Sequence, residues 1–217
     1  MNAIKDIKNG KLSSDSFADS LSSSVVSQLE TLEKIGFKTI LVANMPALDR
    51  APLLAIQKRT DIAREIVNVY NQQLSAKIAT WTKTSSADCF AVLDINAFMQ
   101  AVFTPAVSKS LGITDTTNSC VGGKLINLIT GTTKLSSLLD TISDNKDSTA
   151  ICTDPGSHFF WDPLHPTDRV HRLFGYYVNS VINGCKAGNS VSVTKDLLVQ
   201  LIKKHRLNTT PPQPAQV

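Results

Sequence analysis

The sequence predicts a helix-rich α/β fold with parallel strands, and three observations carry that prediction. Two apolar runs, Phe37 to Met45 and Cys89 to Ile95, have the β-branched bias of buried strands. Between them lies a stretch of helical periodicity, long enough to cross over from one parallel strand to the next. Elsewhere, apolar residues recur at three- and four-residue spacing rather than in alternation. Composition agrees: 217 residues, 42% hydrophobic and 18% charged, form an ordinary globular chain with one domain as the default.

In chain order, residues 14–35 are expected to be a helix. Phe17, Leu21, Val25, Leu29 and Leu32 form its buried face, and Gly36 supplies the C-terminal stop. The first strand, with Ile40-Leu-Val-Ala at its centre, is expected to be covered on both sides, and Pro46 and Pro52 bracket the loop after it. In an open sheet the loop Asn44 to Arg50, at the strand's carboxyl end, borders the cleft. Leu54 to Lys83 reads as one long helix with a stripe of Ile62, Ile66, Tyr70, Leu74 and Ile78. The second strand runs from Cys89 to Ile95, where Asp94 and Asn96 either meet a substrate or cap the next helix, Ala97 to Ser108. Residues 109–150 are read as two short helices joined by loops, with apolar groups at Leu125 to Ile129 and Leu135 to Ile142. After Thr167, an expected N-cap, Val170, Leu173, Phe174, Tyr177 and Val181 mark the core face of a helix ending near Gly184, and Lys195 to His205 forms a further amphipathic helix.

The chemistry concentrates in Asp154-Pro-Gly-Ser-His-Phe-Phe-Trp-Asp-Pro-Leu-His-Pro-Thr167. Asp162 stands three residues before His165, and a proline follows each, so the backbone is stiffened on both sides of the pair. A carboxylate that accepts the Nδ1 proton of an imidazole fixes its tautomer and stabilises the imidazolium, which makes the ring a general base. The plainer alternative is a turn-capping aspartate beside a helix-entry histidine. His158, His171 and His205 have no matched partner, and a metal set of His158, Asp162 and His165 lacks a second cluster of ligands.

Phe160-Trp161-Asp162 followed by His165-Pro166-Thr167 and an amphipathic helix resembles the last block of the GDSL, or SGNH, ester hydrolases, in particular their secreted fungal and plant branch. Ile40-Leu-Val-Ala-Asn-Met-Pro-Ala-Leu48, with Pro52 after it, is similar to that family's buried strand and proline-containing loop. The resemblance implies an incomplete three-layer α/β/α SGNH-hydrolase fold, flavodoxin-like. It also implies that Asp162 and His165 are two members of a Ser-Asp-His triad acting on a small-molecule, carbohydrate or lipid ester without a cofactor or metal. The family's Gly-Asp-Ser block and its Gly-x-Asn-Asp block do not occur here, nor does a Gly-x-Ser-x-Gly elbow. Ser14-Asp15-Ser16 follows no apolar strand and reads as an N-cap. The expectation is therefore an N-terminally truncated ester hydrolase that is nearly inert by itself. The alternative is a catalytically inactive interaction or regulatory remnant of the fold.

On this reading residues 1–190 are the C-terminal part of the hydrolase domain, residues 191–207 a C-terminal helix, and residues 208–217 a disordered tail. Cys89, Cys120, Cys152 and Cys185 lack the C-x-x-C spacing of a zinc site. By analogy with secreted relatives, Cys120 is expected to pair with Cys152 and tie down the middle segment, two reduced buried thiols being the alternative. The start Met1-Asn-Ala-Ile-Lys-Asp lacks a basic residue leading into an apolar run, while Asn208-Thr-Thr210 fits a glycosylation sequon. The complete form is expected to be secreted. The net charge of +4 is mild and its lysines and arginines are scattered, which speaks against nucleic acid, and no apolar stretch reaches membrane-span length.

Overall fold

Helices and short parallel strands alternate in the computed structural model, which describes residues 2–121 and 151–209. The chain divides into two units. The first comprises Met1–Arg50, Lys58–Gln100 and Tyr177–Val193, and the second Ala51–Gln57, Ala101–Tyr176 and Thr194–Val217. Each unit contributes one pair of parallel strands, so the described residues form an incomplete, helix-rich α/β fold, as the sequence predicts.

In the first unit a short helix α1 (Asn2–Lys8) precedes α2 (Ser14–Lys34). The N-cap of α2 is Ser13, one residue before the serines expected to cap it: its hydroxyl oxygen accepts from the Ser16 N–H at 3.0 Å, and Ser14 is buried in the first turn. Gly36 stops the helix as expected. Its φ of +96° is open to glycine without a steric penalty, and the next N–H, of Phe37, reaches back to the Leu32 carbonyl at 3.0 Å.

Strands β1 (Thr39–Ala43) and β2 (Cys89–Leu93) pair in parallel, with Thr39 opposite Cys89 and Ala43 opposite Leu93. Both are shorter than the apolar runs suggested. Phe37 lies outside β1 and is 52% exposed, and β1 alternates, with Ile40 and Val42 buried and Thr39 and Ala43 exposed, rather than being covered throughout.

The crossover expected as one helix is two, α3 (Pro52–Ile56) and α4 (Thr60–Trp81). Lys58 between them has φ +52°, a left-handed conformation that ends α3, while Pro52 at the first helical position starts it. Of the stripe on α4, Ile66, Tyr70, Leu74 and Ile78 are buried as read, joined by Trp81, while Ile62 is half-buried. Four of these, Tyr70, Leu74, Ile78 and Trp81, make the core of the first unit with Ala18 and Leu29 of α2 and with Ile40 and Val42 of β1. The Trp81 and Phe90 rings meet edge to face at 4.9 Å, worth about 0.5–1.5 kcal/mol beyond the area they bury.

The helix expected over Ala97 to Ser108 is also two, α5 (Ile95–Val102) and α6 (Pro105–Leu111). Pro105 has no N–H to continue the first ladder and its ring clashes with the preceding turn, whereas as a first helical residue it starts the second. In the second unit β3 (Asp115–Ser119) pairs in parallel with β4 (His158–Phe160), with a register shift between Asp115 opposite His158 and Ser119 opposite Phe160. This corrects the reading of residues 109–150 as helices and loops over its first part. The apolar groups at Leu125 to Ile129 and Leu135 to Ile142, and residues 210–217 of the expected tail, lie outside the described residues.

After Thr167 comes α7 (Asp168–Lys186), which runs two residues past Gly184 and turns Val170, Leu173, Tyr177 and Val181 inward. Then α8 (Lys195–His205) begins at Thr194, whose hydroxyl oxygen accepts from the Leu197 N–H, and buries Leu198, Leu201 and Ile202. The four cysteines form two disulfides. Cys89–Cys185 joins the start of β2 to the last turn of α7, and Cys120–Cys152 closes the middle segment as expected.

Replacing both Cys120 and Cys152 with alanine removes a link across a sequence separation of 32. Urea unfolding should then report a loss of about 2–4 kcal/mol, while an unchanged midpoint would contradict the pairing.

Candidate active site

The loop between β4 and α7 is built by local hydrogen bonds before any long-range contact is made. Ahead of β4, Asp154 sets a short 3-10 turn that leads into the strand: its carboxylate accepts from the Gly156 N–H at 3.1 Å and its carbonyl from the Ser157 N–H at 3.1 Å. Phe159 and Phe160, both fully buried, anchor the strand, with their rings 4.5 and 6.2 Å from that of Phe103. The loop then folds back on itself. The Trp161 N–H donates to the His165 carbonyl at 2.8 Å, and Phe160 bridges Pro166 in antiparallel sense.

Inside this closed loop Asp162 is held at both oxygens. Its Oδ1 accepts from the N–H groups of Leu164 at 2.8 Å and His165 at 2.7 Å, and its Oδ2 lies 2.8 Å from His165 Nδ1. The Leu53 N–H braces the loop from α3 by donating to the Pro163 carbonyl at 2.9 Å. At the far end the Thr167 N–H and hydroxyl donate to the carbonyls of Phe159 and His158, both at 2.8 Å. Thr167 thus occupies the cap position of α7, its carbonyl accepting from the His171 N–H, but spends its hydroxyl on β4 rather than on the helix.

The electrostatics follow from this geometry. Burial acts to raise the Asp162 pKa, but the two N–H donors and the His165 ring outweigh it and hold the carboxyl below its ordinary value. An ionised carboxylate only accepts, so Nδ1 carries a proton and, in the neutral ring, Nε2 keeps its lone pair. Asp162 is 17% exposed and His165 66%, so the carboxylate is sheltered while the imidazole is open. Nε2 has no partner among the described residues, and no serine hydroxyl there reaches it. Trp161 and Leu164 on the loop, and Ile56 on the bracing helix, are exposed apolar side chains that give this surface an oily character.

The other histidines are otherwise engaged. His158 Nδ1 lies 3.1 Å from Ser157 Oγ and 3.2 Å from the Asp154 carbonyl, with Nε2 3.8 Å from Asp115. This serine is not poised as a nucleophile, because its hydroxyl already donates to the Asp154 carbonyl at 2.7 Å. His171 Nδ1 sits 3.1 Å from the Thr167 carbonyl, and the His205 ring stacks on Tyr176 at 3.6 Å. Among the described residues no three histidines, cysteines or acids are grouped to hold a metal ion. Asp94 takes the capping alternative: its Oδ1 accepts from the Ala97 N–H at 2.8 Å and from the Asn44 side-chain amide at 2.7 Å. The Asp115–His158 pairing was not foreseen, since nothing in a polar run of Asp, Thr, Thr, Asn and Ser marks a strand.

No family model matches the sequence. A GDSL esterase/lipase of Arabidopsis thaliana is 24% identical over 161 residues, covering 70% of this chain and 40% of that protein. A second is 26% identical over 165 residues, 72% of this chain and 42% of the relative. The anther-specific proline-rich protein APG of the same plant is 26% identical over 163 residues, 73% of this chain and 28% of its own length. The chain is thus a distant relative of GDSL-type esterase/lipases, which implies their SGNH fold, and it spans about two fifths of the length of the first two.

Asp115, at the start of β3, has a measurable acid limit. Burial raises its pKa, but hydrogen bonds from Asn118 and Thr117 prevail and bring it to about 2. A carboxylate depressed below its unfolded value of about 3.9 contributes stability above that value and loses it as the pH falls through the folded one. NMR titration should find Asp115 ionised down to about pH 2, and stability of the Asp115→Asn variant should vary less with pH below about 4. An Asp115 midpoint near the ordinary value would contradict the hydrogen bonding described.

Proposed function

We propose, from the likeness of this chain to GDSL esterase/lipases, that Asp162 and His165 are the acid and base of an ester hydrolase that works through an acyl-serine. The observation that carries the reading is the 2.8 Å contact between Asp162 Oδ2 and His165 Nδ1, with the opposite face of the ring open. Nε2 takes the proton of a serine hydroxyl as its oxygen attacks the ester carbonyl, and Asp162 stabilises the imidazolium. The imidazolium then gives that proton to the departing alcohol. Water, deprotonated by the same nitrogen, releases the acid from the acyl-serine.

The serine and the oxyanion donors are supplied from outside these 217 residues, which contain neither a Gly-Asp-Ser nor a Gly-x-Asn-Asp block. The substrate class is a small-molecule, carbohydrate or lipid ester, and the exposed Trp161 and Leu164 suit an apolar acyl or alcohol part. Secretion is part of the proposal, supported by two disulfides, which persist in oxidising compartments, and by the Asn208-Thr-Thr210 sequon. The missing serine block favours the second reading, an inactive remnant that binds rather than cleaves.

Hydrolysis of a p-nitrophenyl ester separates the two. The 217-residue chain and a product extended by any in-frame upstream coding sequence are each assayed beside His165→Ala. The extended protein should hydrolyse the ester, His165→Ala should reduce kcat by about 10⁴-fold or more, and the 217-residue chain should not exceed its own variant. His165-dependent hydrolysis by the shorter chain would overturn the external serine, and inactivity of both would favour the remnant.

A further inference from the structure

We propose that a cavity beside the start of α7 binds an organic carboxylate. The cavity holds about 450 Å³ and lies within the second unit, its wall including Gly156, Trp161, Arg169 and Arg172 together with Asp154 and Asp168. Neither Asp162 nor His165 lines it, so it is a site apart from the acid–base pair. The inference does not rest on the hydrolase reading.

Arg169 and Arg172 are three residues apart on α7, the spacing that brings two side chains to one helix face. Arg169 is fixed in place. Its Nη1 donates to the carbonyls of Leu111 at 3.2 Å and Gly112 at 3.3 Å, at the end of α6, and its Nη2 presses so closely on Gly156 that a Cβ there would fall 2.6 Å away. Glycine is therefore what admits this guanidinium to the wall. Arg172 is the less compensated of the two: its Nη1 is sealed from solvent and has no hydrogen-bond acceptor. Among the described residues neither arginine lies within ion-pair reach of a carboxylate. A partly desolvated guanidinium without a counter-charge is unfavourable, and an anion in the adjoining cavity offsets it through the delocalised charge of the group.

The wall also selects which anion. Asp154 and Asp168 share the wall without pairing with either arginine, and their negative charge penalises a phosphate dianion more than a single carboxylate. A planar carboxylate matches the guanidinium fork. Trp161, 39% exposed, supplies a flat apolar surface for the rest of the ligand. An organic acid with an aromatic or aliphatic body meets all three conditions.

Ligand-observed NMR on the 217-residue chain tests this, with benzoate as probe, benzamide as its neutral counterpart and inorganic phosphate as a competing oxyanion. Benzoate should bind saturably, benzamide should not, and phosphate should bind more weakly than benzoate. Arg172→Met keeps the apolar stem, and should weaken benzoate at least about tenfold, with Arg172→Lys restoring part of the loss. Should Arg172→Met not fold, Trp161→Leu, altering a partly exposed ring, should also weaken benzoate but leave phosphate unchanged. Absence of saturable benzoate binding, or equal binding by folded Arg172→Met, would overturn the site, and tighter binding of phosphate would overturn the carboxylate assignment.

Discussion

The Asp162 carboxylate is the constraint on which the loop and its chemistry both depend. One oxygen satisfies two consecutive backbone N–H groups and the other faces the imidazole, so a single side chain sets the turn and orients the ring. The two roles reinforce each other. The N–H donors keep the carboxyl ionised, and an ionised carboxyl holds the ring in the tautomer that leaves Nε2 free. A neutral residue of the same shape would retain the turn and lose the electrostatic half of the arrangement. Around it, the bonds from Leu53 to Pro163, Trp161 to His165 and Thr167 to His158 leave the backbone little freedom. The prolines at 163 and 166 restrict it further.

That loop was legible in the sequence because its signals are local. A carboxylate, an imidazole, two prolines and three aromatics within a few residues state both the rigidity and the Asp162–His165 contact. Helices α2, α4, α7 and α8 were legible for the same reason, since a 3.6-residue stripe and a stop such as Gly36 can be read without knowing the partner. Where the reading failed, the deciding interaction was not local. Strand β3 carries no apolar alternation and exists as a strand through its pairing with β4, a neighbour some forty residues on. The break at Lys58 lies in a non-glycine residue with positive φ, which no propensity marks, whereas the split at Pro105 was announced by a proline and underweighted. Cys89 and Cys185 are brought together by β2 and α7, so their pairing follows from the fold and from no spacing.

The second unit places two different polar arrangements along one short length of chain. Asp162 and His165 are satisfied by each other, with the imidazole open outward. On the helix that follows, Arg169 donates to two carbonyls, while one Arg172 nitrogen has no acceptor among the described residues. The distant likeness to GDSL esterase/lipases bears on the first of these alone. The chain spans about two fifths of the length of two such relatives.

The most direct measurement of the central claim is the tautomer of His165 itself, read from the ¹⁵N shifts of the labelled imidazole at neutral pH. The account predicts a proton on Nδ1 and a bare Nε2, with Nδ1–H shifted downfield by its bond to Asp162 and that shift lost in Asp162→Asn. A ring protonated on Nε2, or one averaging freely between tautomers in the parent protein, would contradict it.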